Sequence, residues 1–320
     1  MNQQKIKHIN QFTFFKGDNM KIIKTLKPNI KFMTPLTLAI GNFDGIHLGH
    51  QKMIETVVSY KDTQSALITF DPHPVDFFKK SKESRLYTKN DKLIQMEKMA
   101  IDYVFMISFN QEVASITKEE FIKILKELNV KRVVIGKDAR FGHKGAGTYQ
   151  DLEKTFEIVL MPDFIKNEQK VSTTYIKKLL DQAKLSEVKD NLGHYYQIKG
   201  KVEHGDKVGR TIGFPTANMD YDHYYLPKNG VYITKVFIDN NWYYGTTNLG
   251  NNPTLNRSIK PKLETFIHDF KGDLYDKEIT LEFHKYIRPE IKFDDTQTLI
   301  SQINDDINQT ITYKNKMNVL

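Results

Sequence analysis

The residues His47 and His50, in the segment GNFDGIHLGHQ at 41–51, have a spacing that suits phosphate chemistry. The segment follows an apolar run and opens a helical pattern, so its glycines let the backbone approach a ligand where N–H groups are unpaired. Imidazoles and these N–H groups could stabilise the charge that develops when pyrophosphate leaves in nucleotidyl transfer. The alternative is a turn with a capping and a structural histidine, and zinc is disfavoured because no third ligand lies nearby. Around this predicted catalytic pair, the predicted phosphate-binding residues are Gly41, Asn42, Phe43, Asp44, Gly45 and Gly49.

Three later segments are candidates for the same crevice. TFDPHP at 69–74 has two prolines that would fix a turn aiming Asp71 and His73, although an ordinary rigid turn explains the motif equally well. GKDARFG at 136–142 combines glycines, an acid, two cations and an aromatic ring, which suits nucleotide or flavin contact. VSTTYIK at 171–177 has hydroxyls at a helix start and a cation one turn later, which suits a phosphate tail or plain N-capping.

A second candidate site lies in GKVEHGDKVGRTIGFPTAN at 200–218, a glycine-rich stretch with cations whose backbone amides could wrap phosphates. Thr216 and Asn218 could hold a metal there. Glu264, in an otherwise apolar strand, could face inward as the base for phosphoryl transfer to an alcohol. The alternative for Glu264 is a solvent-facing acid in an alternating strand. The predicted phosphate-binding residues of this stretch are Gly205, Lys207, Gly209, Arg210, Gly213, Pro215 and Asn218.

Short apolar runs alternate with amphipathic segments between residues 36 and 184. The predicted buried strands are 36–40, 66–70, 103–107 and 132–135, and the predicted helices are 50–60, 89–100 and 118–128, with a capped start at 116–120. This alternation predicts an α/β fold with a parallel sheet and right-handed crossovers. Ligands in such folds bind beyond the carboxyl ends of the strands, so the first three motifs should converge there.

The pattern changes after residue 184. Residues 195–287 contain short strands rich in Val, Ile, Tyr, Phe and Thr, with Asn240 and Asn241 at a predicted hairpin turn, which indicates an antiparallel β-barrel. Helical spacing over 294–316 predicts a C-terminal helix packed on the barrel. The stretch 183–194 is predicted to be a polar linker.

Composition limits the class of protein. A length of 320 residues suggests two domains, and 39% hydrophobic with 12% aromatic residues is enough for packed cores. The absence of cysteine excludes disulfides, thiolate metal sites and a cysteine nucleophile, and it favours a reducing cytoplasm.

The net charge of +8 is spread along the chain, which disfavours a nucleic-acid-binding arm and favours phosphorylated small molecules as ligands. No run is long enough for a membrane helix and the N-terminus lacks a signal-peptide core, so we expect a soluble cytoplasmic protein.

The motifs GNFDGIHLGHQ, TFDPHP, GKDARFG and VSTTYIK, in this order, resemble the adenylyltransferase module of bacterial bifunctional riboflavin kinase/FAD synthetases. The resemblance implies a Rossmann-like nucleotidyltransferase domain that transfers AMP from ATP to FMN with Mg²⁺, releasing pyrophosphate. It implies phosphate contacts from His47 and His50. The other implied contacts are Asn42, Asp138 and Arg140 for the nucleotide, Ser172, Thr173 and Lys177 for the phosphate tail, and Phe70, Asp71, His73 and Phe141 for the flavin. The family usually has Arg at 177 and an aromatic residue at 139, where this chain has Lys and Ala.

The motifs GRTIGFPTANM, LPKNGVYI, NLGNNPT and LETFIHDFKGDLYDKEITLEFHKYIRPEIKF resemble the flavokinase module of the same family. The resemblance implies a small antiparallel barrel that phosphorylates the 5′-hydroxyl of riboflavin with ATP. It implies Mg²⁺ binding by Thr216 and Asn218, a general base at Glu264, and flavin-side placement of Arg288. The family often has Arg at 252 and usually Gly at 276, where this chain has Asn and Asp.

The resemblance runs from about residue 21 to about 308 and indicates a bifunctional enzyme. We expect an adenylyltransferase domain at 20–186 and a riboflavin kinase domain at 187–320, with riboflavin, FMN, FAD, ATP, ADP and pyrophosphate as ligands. One alternative is a protein with a single live activity, most plausibly the kinase. The other alternative is a flavin carrier or a flavin-responsive nucleic-acid regulator. A protein that only binds flavin would not need a general base beside a metal site, which argues against this alternative.

Overall fold

The computed structural model describes residues 20–27, 31–80, 84–205, 212–250 and 261–317, with the backbone of a short strand at Thr13–Phe14. The chain divides into two compact units, Met1–Thr173 and Thr174–Leu320. Within the described ranges, none of the helices combines the length and the apolarity needed to span a bilayer.

A twisted sheet forms the centre of the first unit. Its strands are β1 (Thr13–Phe14), β2 (Lys21–Ile23), β3 (Leu36–Ile40), β4 (Gln64–Phe70), β5 (Tyr103–Ile107), β6 (Val130–Gly136) and β7 (Glu157–Met161), and β8 (Ile165–Lys166) and β9 (Gln169–Lys170) form a separate hairpin. In the described part of the chain the sheet order is β1-β2-β5-β4-β3-β6-β7, and every neighbouring pair is parallel except β1 with β2. The predicted parallel sheet is confirmed, and β3 and β5 have the predicted bounds.

Helices cover both faces of this sheet. They are α1 (Leu48–Ser59), α2 (Pro74–Lys79), α3 (Lys89–Lys98), α4 (Gln111–Ser115), α5 (Lys118–Glu127) and α6 (Tyr149–Glu153). Thr88 and Thr117 begin α3 and α5 with capping boxes, which confirms the helix start predicted at 116–120.

The central strands β3, β4 and β5 are almost wholly buried because both faces of the sheet are covered. One apolar cluster contains Leu38, Ile68, Phe105 and Val133, and the opposite cluster contains Ala39, Leu67, Val104 and Val134. Successive side chains on a strand point to opposite faces, so each strand contributes to both clusters. This packing fixes the carboxyl ends of β3, β4 and β6 along one edge, where the loops that follow them begin.

A closed barrel forms the centre of the second unit. Its strands are β10 (Tyr196–Glu203), β11 (Ala217–Tyr221), β12 (Gly230–Ile238), β13 (Asn241–Gly250), β14 (Lys262–Ile267) and β15 (Glu278–Arg288), and its helices are α7 (Thr173–Asp181, which starts at the last residue of the first unit), α8 (Leu185–Leu192) and α9 (Thr296–Met317). The strand order is β10-β11-β14-β13-β12-β15, with antiparallel pairs throughout the described ranges. The predicted barrel and C-terminal helix are confirmed.

A ladder of three threonines crosses the barrel interior. Thr234, Thr247 and Thr265 are at most 1% exposed. Their hydroxyl oxygens lie 2.8 Å apart from Thr234 to Thr247 and 2.8 Å apart from Thr247 to Thr265. Each buried hydroxyl is therefore satisfied by the next one.

Two local predictions need correction. The hairpin turn between β12 and β13 consists of Asp239 and Asn240, at φ 45° and 67°, one residue earlier than predicted, because a two-residue turn of this hand needs both central residues in the left-handed region. The stretch predicted as a polar linker contains helix α8. Leu185, Val188 and Leu192 form a buried stripe at helical spacing in this helix, which the polar residues between them conceal in the sequence.

An ion pair fastens α9 to the barrel. Arg288, at the end of β15, donates from Nε to Asp306 Oδ1 at 2.9 Å and from Nη2 to Asp306 Oδ2 at 2.7 Å. The Asp306 residue is only 2% exposed. A second contact joins Thr310 of α9 to Thr246 of β13, hydroxyl to hydroxyl at 2.8 Å.

We expect Asp306→Ala to lower the free energy of unfolding of the second unit by about 3 kcal/mol, because it leaves the Arg288 guanidinium partly buried without its carboxylate. Urea unfolding followed by Trp242 fluorescence measures the change. The exposed neighbour Asp305 provides the matched control, and Asp305→Ala should stay within about 0.5 kcal/mol of the unmodified chain. Equal stability of both variants would contradict the assigned role.

Candidate active sites

The loop after β3 holds the first candidate site in a strained but well-supported shape. Phe43, Gly45 and Ile46 have φ of 50°, 79° and 38°, so the chain turns through the left-handed region before α1 begins. A Cβ on Gly45 would lie 2.7 Å from Leu86 Cδ1, so only glycine fits there. The buried Asp44 carboxylate accepts a hydrogen bond from the Tyr87 amide at 3.1 Å. The loop is thereby fixed against the segment that leads into α3.

His47 and His50 stand together at the N-terminus of α1. Their rings stack with centroids 3.7 Å apart, and His47 is the N-cap, accepting from the His50 amide at its Nδ1 at 3.4 Å. The capping role that the sequence analysis gave as the alternative is confirmed for His47, but it involves only the Nδ1 atom of that ring. His50 Nδ1 is buried without a hydrogen-bond partner among the described residues. A buried polar atom without a partner is rare in folded proteins, and at a helix N-terminus it is a candidate contact for a bound anion.

Burial keeps both imidazoles neutral at physiological pH. Desolvation lowers the pKa of His47 to about 4, and a backbone hydrogen bond opposes this only in part. Desolvation also lowers the pKa of His50 well below its usual value, and the nearby charges of His47 and Lys92 act in the same direction. Neutral imidazole can donate from N–H without adding a proton to the reaction.

Lys92 of α3 belongs to the same site and was not among the predicted residues. Its residue is 7% exposed, and its ammonium donates to the backbone oxygen of Asn42 at 3.1 Å. The sequence does contain a signal: Lys92 falls on the buried stripe of α3 with Leu93 and Met96. A lysine in a core position is unusual, and the helical period alone identifies it.

The residues of the TFDPHP segment have separate structural roles. His73 is the N-cap of α2, accepting from the Val75 amide at 3.1 Å, and Asp71 pairs with Lys89 at 3.0 Å. Phe70, at the end of β4, joins an aromatic cluster with Phe77, Phe78 and Phe109, in which neighbouring ring centroids lie 5.4–5.8 Å apart. Phe78 is 67% exposed, so the cluster offers an accessible apolar surface at the carboxyl edge of the sheet.

The GKDARFG segment has two of its predicted ligand-binding side chains on the surface and one in the core. The Asp138 carboxylate is paired with Lys170 at 3.3 Å, and Arg140 is exposed. Phe141 was predicted to contact the flavin, but its ring lies in the core, 7% exposed and 5.3 Å from the Phe121 ring. Phe141 therefore has a packing role, although its neighbours Arg140 and Gly142 in the sequence are not apolar.

The VSTTYIK segment reaches the first site through Thr173. The Thr173 hydroxyl donates to the backbone oxygen of Asp44 at 3.0 Å, and Ser172 precedes it at the start of α7. Lys177 lies one turn further along α7 in the second unit, where its ammonium stands 4.8 Å from the centre of the Tyr225 ring.

The barrel brings Asn218 and Glu264 side by side. They are directly paired across β11 and β14, and Glu264 is paired in turn with Asn248 of β13. Side chains directly opposite one another in an antiparallel pair share a face. Since Leu263 and Thr265 are buried in the barrel, the half-exposed Glu264 faces outward, and the predicted inward orientation is wrong. Asn248 was not predicted, and only its register identifies it.

A cavity of about 640 Å³ opens beside this row, lined by Gly205, Pro215, Thr216, Asn218, Thr265 and Tyr275 among others. A Cβ on Gly205 would lie 2.2 Å from Asn218 Nδ2, so the glycine lets the amide lie flat against the chain. Gly213 has φ 91° at the cavity's approach. The predicted residues Lys207, Gly209 and Arg210, and Asn252, lie outside the described residues.

Two further positions of the barrel that the sequence analysis named have charged partners in the structure. Arg288, predicted on the flavin side, is engaged by Asp306 as described above. Asp276 adopts φ 63°, the backbone conformation that glycine favours, and its carboxylate pairs with Lys201 at 2.8 Å. Aspartate tolerates this region better than most residues, which explains how the usual glycine can be replaced.

The depressed pKa of His47 makes the stability of the first unit pH-dependent. The unfolded chain binds a proton near pH 6.5 and the folded chain near pH 4, so this contribution is complete above pH 6.5 and is lost as the pH falls towards 4. We expect the free energy of unfolding to fall by about 2 kcal/mol between pH 7 and pH 5 through His47 alone.

Urea titrations at the two pH values, followed by circular dichroism, measure this loss. His47→Asn, which can still cap α1, should remove it, whereas His143→Asn at an exposed position should retain it. An unchanged pH dependence in His47→Asn would contradict the assignment.

Two protein families match the chain, Riboflavin kinase over residues 192–314 and FAD synthetase over residues 30–175. The chain is 34% identical over 291 residues to a bifunctional riboflavin kinase/FMN adenylyltransferase of Listeria monocytogenes, a match that covers 88% of this chain and 93% of that protein. A protein of the same description from Bacillus subtilis is 35% identical over 289 residues, covering 86% and 92%.

A crystal structure from Streptococcus pneumoniae, described as a macrolide-efflux protein, has a TM-score of 0.83 and 28% identity to this chain, covering 91% of this chain and 98% of that one. Both predicted modules are thus present in the predicted order. The chain belongs to the bifunctional riboflavin kinase/FMN adenylyltransferase family of flavin cofactor biosynthesis.

Proposed function

We propose that each unit of the chain carries one of the family's two reactions. The barrel phosphorylates riboflavin with ATP to give FMN, and the parallel-sheet unit transfers AMP from ATP to FMN to give FAD and pyrophosphate. The observation that carries this proposal is the presence of two separate constellations, the stacked pair His47 and His50 and the row of Asn218 and Glu264. We retain 186/187 as the proposed boundary between the two domains.

In the barrel, Glu264 is the proposed general base. Its carboxylate takes the proton of the riboflavin 5′-hydroxyl while that oxygen forms a bond to the γ-phosphorus of ATP, and the bond from this phosphorus to the leaving ADP oxygen breaks. Glu264 is half-exposed on the outer face of β14, next to Asn218, which lines the cavity. Asn218 and Asn248 flank Glu264 on this face.

The donor set beside Glu264 suits Mg²⁺. The Thr216 hydroxyl and the Asn218 amide oxygen are hard oxygen ligands, and both residues line the cavity. Among the described residues there is no cluster of three His, Asp or Glu side chains able to hold a metal. Mg²⁺ needs no such cluster, because it takes most of its ligands from water and substrate phosphates. When bound, it would neutralise the charge on the transferring phosphates.

In the first unit, an FMN phosphate oxygen attacks the α-phosphorus of ATP and the bond from that phosphorus to pyrophosphate breaks. This exchange needs no proton transfer by the protein, only stabilisation of the oxygens that gain charge. Neutral His47 and His50 can supply N–H donors, and the N-terminus of α1 adds backbone amides and its dipole. Ser172 and Thr173 are the proposed hydroxyl contacts of the phosphate tail, and the hydrogen bond from Thr173 to the Asp44 backbone oxygen supports this for Thr173.

The aromatic cluster of Phe70, Phe77, Phe78 and Phe109 is the proposed surface for the isoalloxazine ring of FMN. Flat aromatic ligands gain stacking energy on such rings in addition to area burial. The cluster provides aromatic surface in a chain that has Ala139 where the family usually has an aromatic residue. The side chain of Phe109 contacts each of the other three rings and lies at the centre of the cluster.

A time course of flavin products from riboflavin, ATP and Mg²⁺, separated by chromatography, tests the assignment of the two reactions. We expect FMN before FAD in the unmodified chain. Glu264→Gln should slow FMN formation by about 100-fold or more but still convert added FMN to FAD. The double variant His47→Gln/His50→Gln should make FMN normally and lose FAD formation by about 100-fold or more.

The exposed Glu278 of β15 provides the control, and Glu278→Gln should behave as the unmodified chain. If Glu264→Gln phosphorylates riboflavin at the normal rate, the kinase assignment is wrong. If the unmodified chain stops at FMN, the adenylylation assignment is wrong and the barrel assignment stands.

Phe109→Ala should raise the KM for FMN in FAD formation by about tenfold, because it removes stacking energy of about 1 kcal/mol and opens the cluster. The KM for ATP should stay within about twofold. Leu160→Ala, which removes another exposed apolar side chain of the first unit, serves as control. Equal effects on both substrates would show that Phe109 supports the fold and does not form the flavin surface.

A further inference from the structure

Lys92 has an environment that packing alone does not explain. Its ammonium is buried and donates to the Asn42 backbone oxygen at 3.1 Å, to Thr69 Oγ1 at 3.4 Å and to the Phe70 backbone oxygen at 3.4 Å. These three acceptors match the three donors of a lysine. All three oxygens are uncharged, so the hydrogen bonds satisfy the ammonium without neutralising it.

The three acceptors belong to two neighbouring segments of the first site, the loop after β3 and the end of strand β4. Asn42 follows β3 and precedes the His47 turn, whereas Thr69 and Phe70 end β4 at the aromatic cluster. The Thr69 hydroxyl also donates to the Asn42 backbone oxygen at 3.1 Å. Lys92 therefore joins the phosphate side of the site to its proposed flavin side through a single cation.

Several charged groups around Lys92 shift the pKa of its ammonium in opposite directions. Desolvation lowers the pKa of Lys92, the carboxylates of Asp44 and Asp71 raise it, and Arg85 and Lys89 lower it. An apolar side chain of similar length would fill the same space without this desolvation cost. A buried positive charge has a use where ligands bring several negative charges, as ATP and FMN phosphates do.

We propose that Lys92 is a positioning residue of the adenylylation reaction, holding the loops after β3 and β4 in one geometry for the phosphates and the two histidines. The inference rests on the proposed adenylyltransferase activity of the first unit. Lys92 also acts on His50 at a distance, because its charge is one of the causes that lower the pKa of that imidazole. The groups that face His50 are the imidazole of His47, the ammonium of Lys92 and the uncharged ring of Phe43.

The test measures FAD formation from FMN and ATP between pH 4 and pH 9 in Lys92→Met, Lys92→Gln and Lys92→Arg. We expect both neutral variants to lose about tenfold or more in kcat, since the two segments are no longer joined by a cation. The acid limb of kcat/KM for ATP, which reports the free enzyme, should move to higher pH, because the pKa of His50 rises when the charge of Lys92 is removed. Lys92→Arg retains the charge and should keep the limb of the unmodified chain.

Lys98→Met, at an exposed position of the same helix, is the matched control and should leave both kcat and the pH limb unchanged. Riboflavin phosphorylation by the second unit should be normal in every variant. A structural role alone would lower thermal stability without moving the pH limb.

Three results would overturn the inference: normal kcat in Lys92→Met, a pH limb that does not move in either neutral variant, or loss of the folded first unit in both neutral variants. Failure of the proposed function is distinguishable, because the unmodified chain and Lys98→Met would then form no FAD at all. A chain that forms FAD equally well with and without Lys92 refutes only the role of Lys92.

Discussion

The first unit depends on one constraint: parallel strands buried on both faces must end along a common edge. The loops after β3 and β4 begin at this edge, and the residues proposed to bind phosphate lie on them or on the helix that follows. Because the apolar clusters fix the strands, small residues and left-handed turns can be used in the loops without loss of position. Desolvation at this edge then makes the histidines neutral, which suits a transfer that requires no proton.

In the second unit, the alternation of side chains along each strand separates the polar site from the packed core. In a closed barrel each strand gives one set of side chains to the interior and the other to the outer face, so chemistry and packing are separated residue by residue. Thr265 packs in the interior while Glu264, its neighbour, is half-exposed. The same register that places Glu264 next to Asn218 and Asn248 also determines that these polar groups stay outside the core.

Much of this arrangement could be predicted from the sequence, and the failures have physical reasons. The apolar runs predicted β3 and β5 with their bounds, because strands buried on both faces are continuous apolar runs. The motifs predicted the family, whereas the phosphate contacts of the loop after β3 stay a prediction. The orientation of Glu264 could not be predicted, because the sequence does not show which of the two alternating rows of side chains in β14 faces the barrel interior. Lys92 required recognising that its partners lie 50 and 22 residues away in the chain, and Phe141 turned inward through tertiary packing. The relative placement of distant residues is not contained in local periodicity.

The threonine ladder inside the barrel has a consequence for how such a sequence can change over generations. Removing one hydroxyl from the ladder leaves a neighbouring hydroxyl buried with fewer acceptors, whereas replacing the whole ladder with valines of the same shape removes the demand altogether. The intermediate sequences are therefore expected to be the least stable of the series. Thr247 bonds both of the other hydroxyls, whereas Thr234 also donates to the Gly245 backbone oxygen at 3.2 Å, so the middle position of the ladder is the hardest one to change alone.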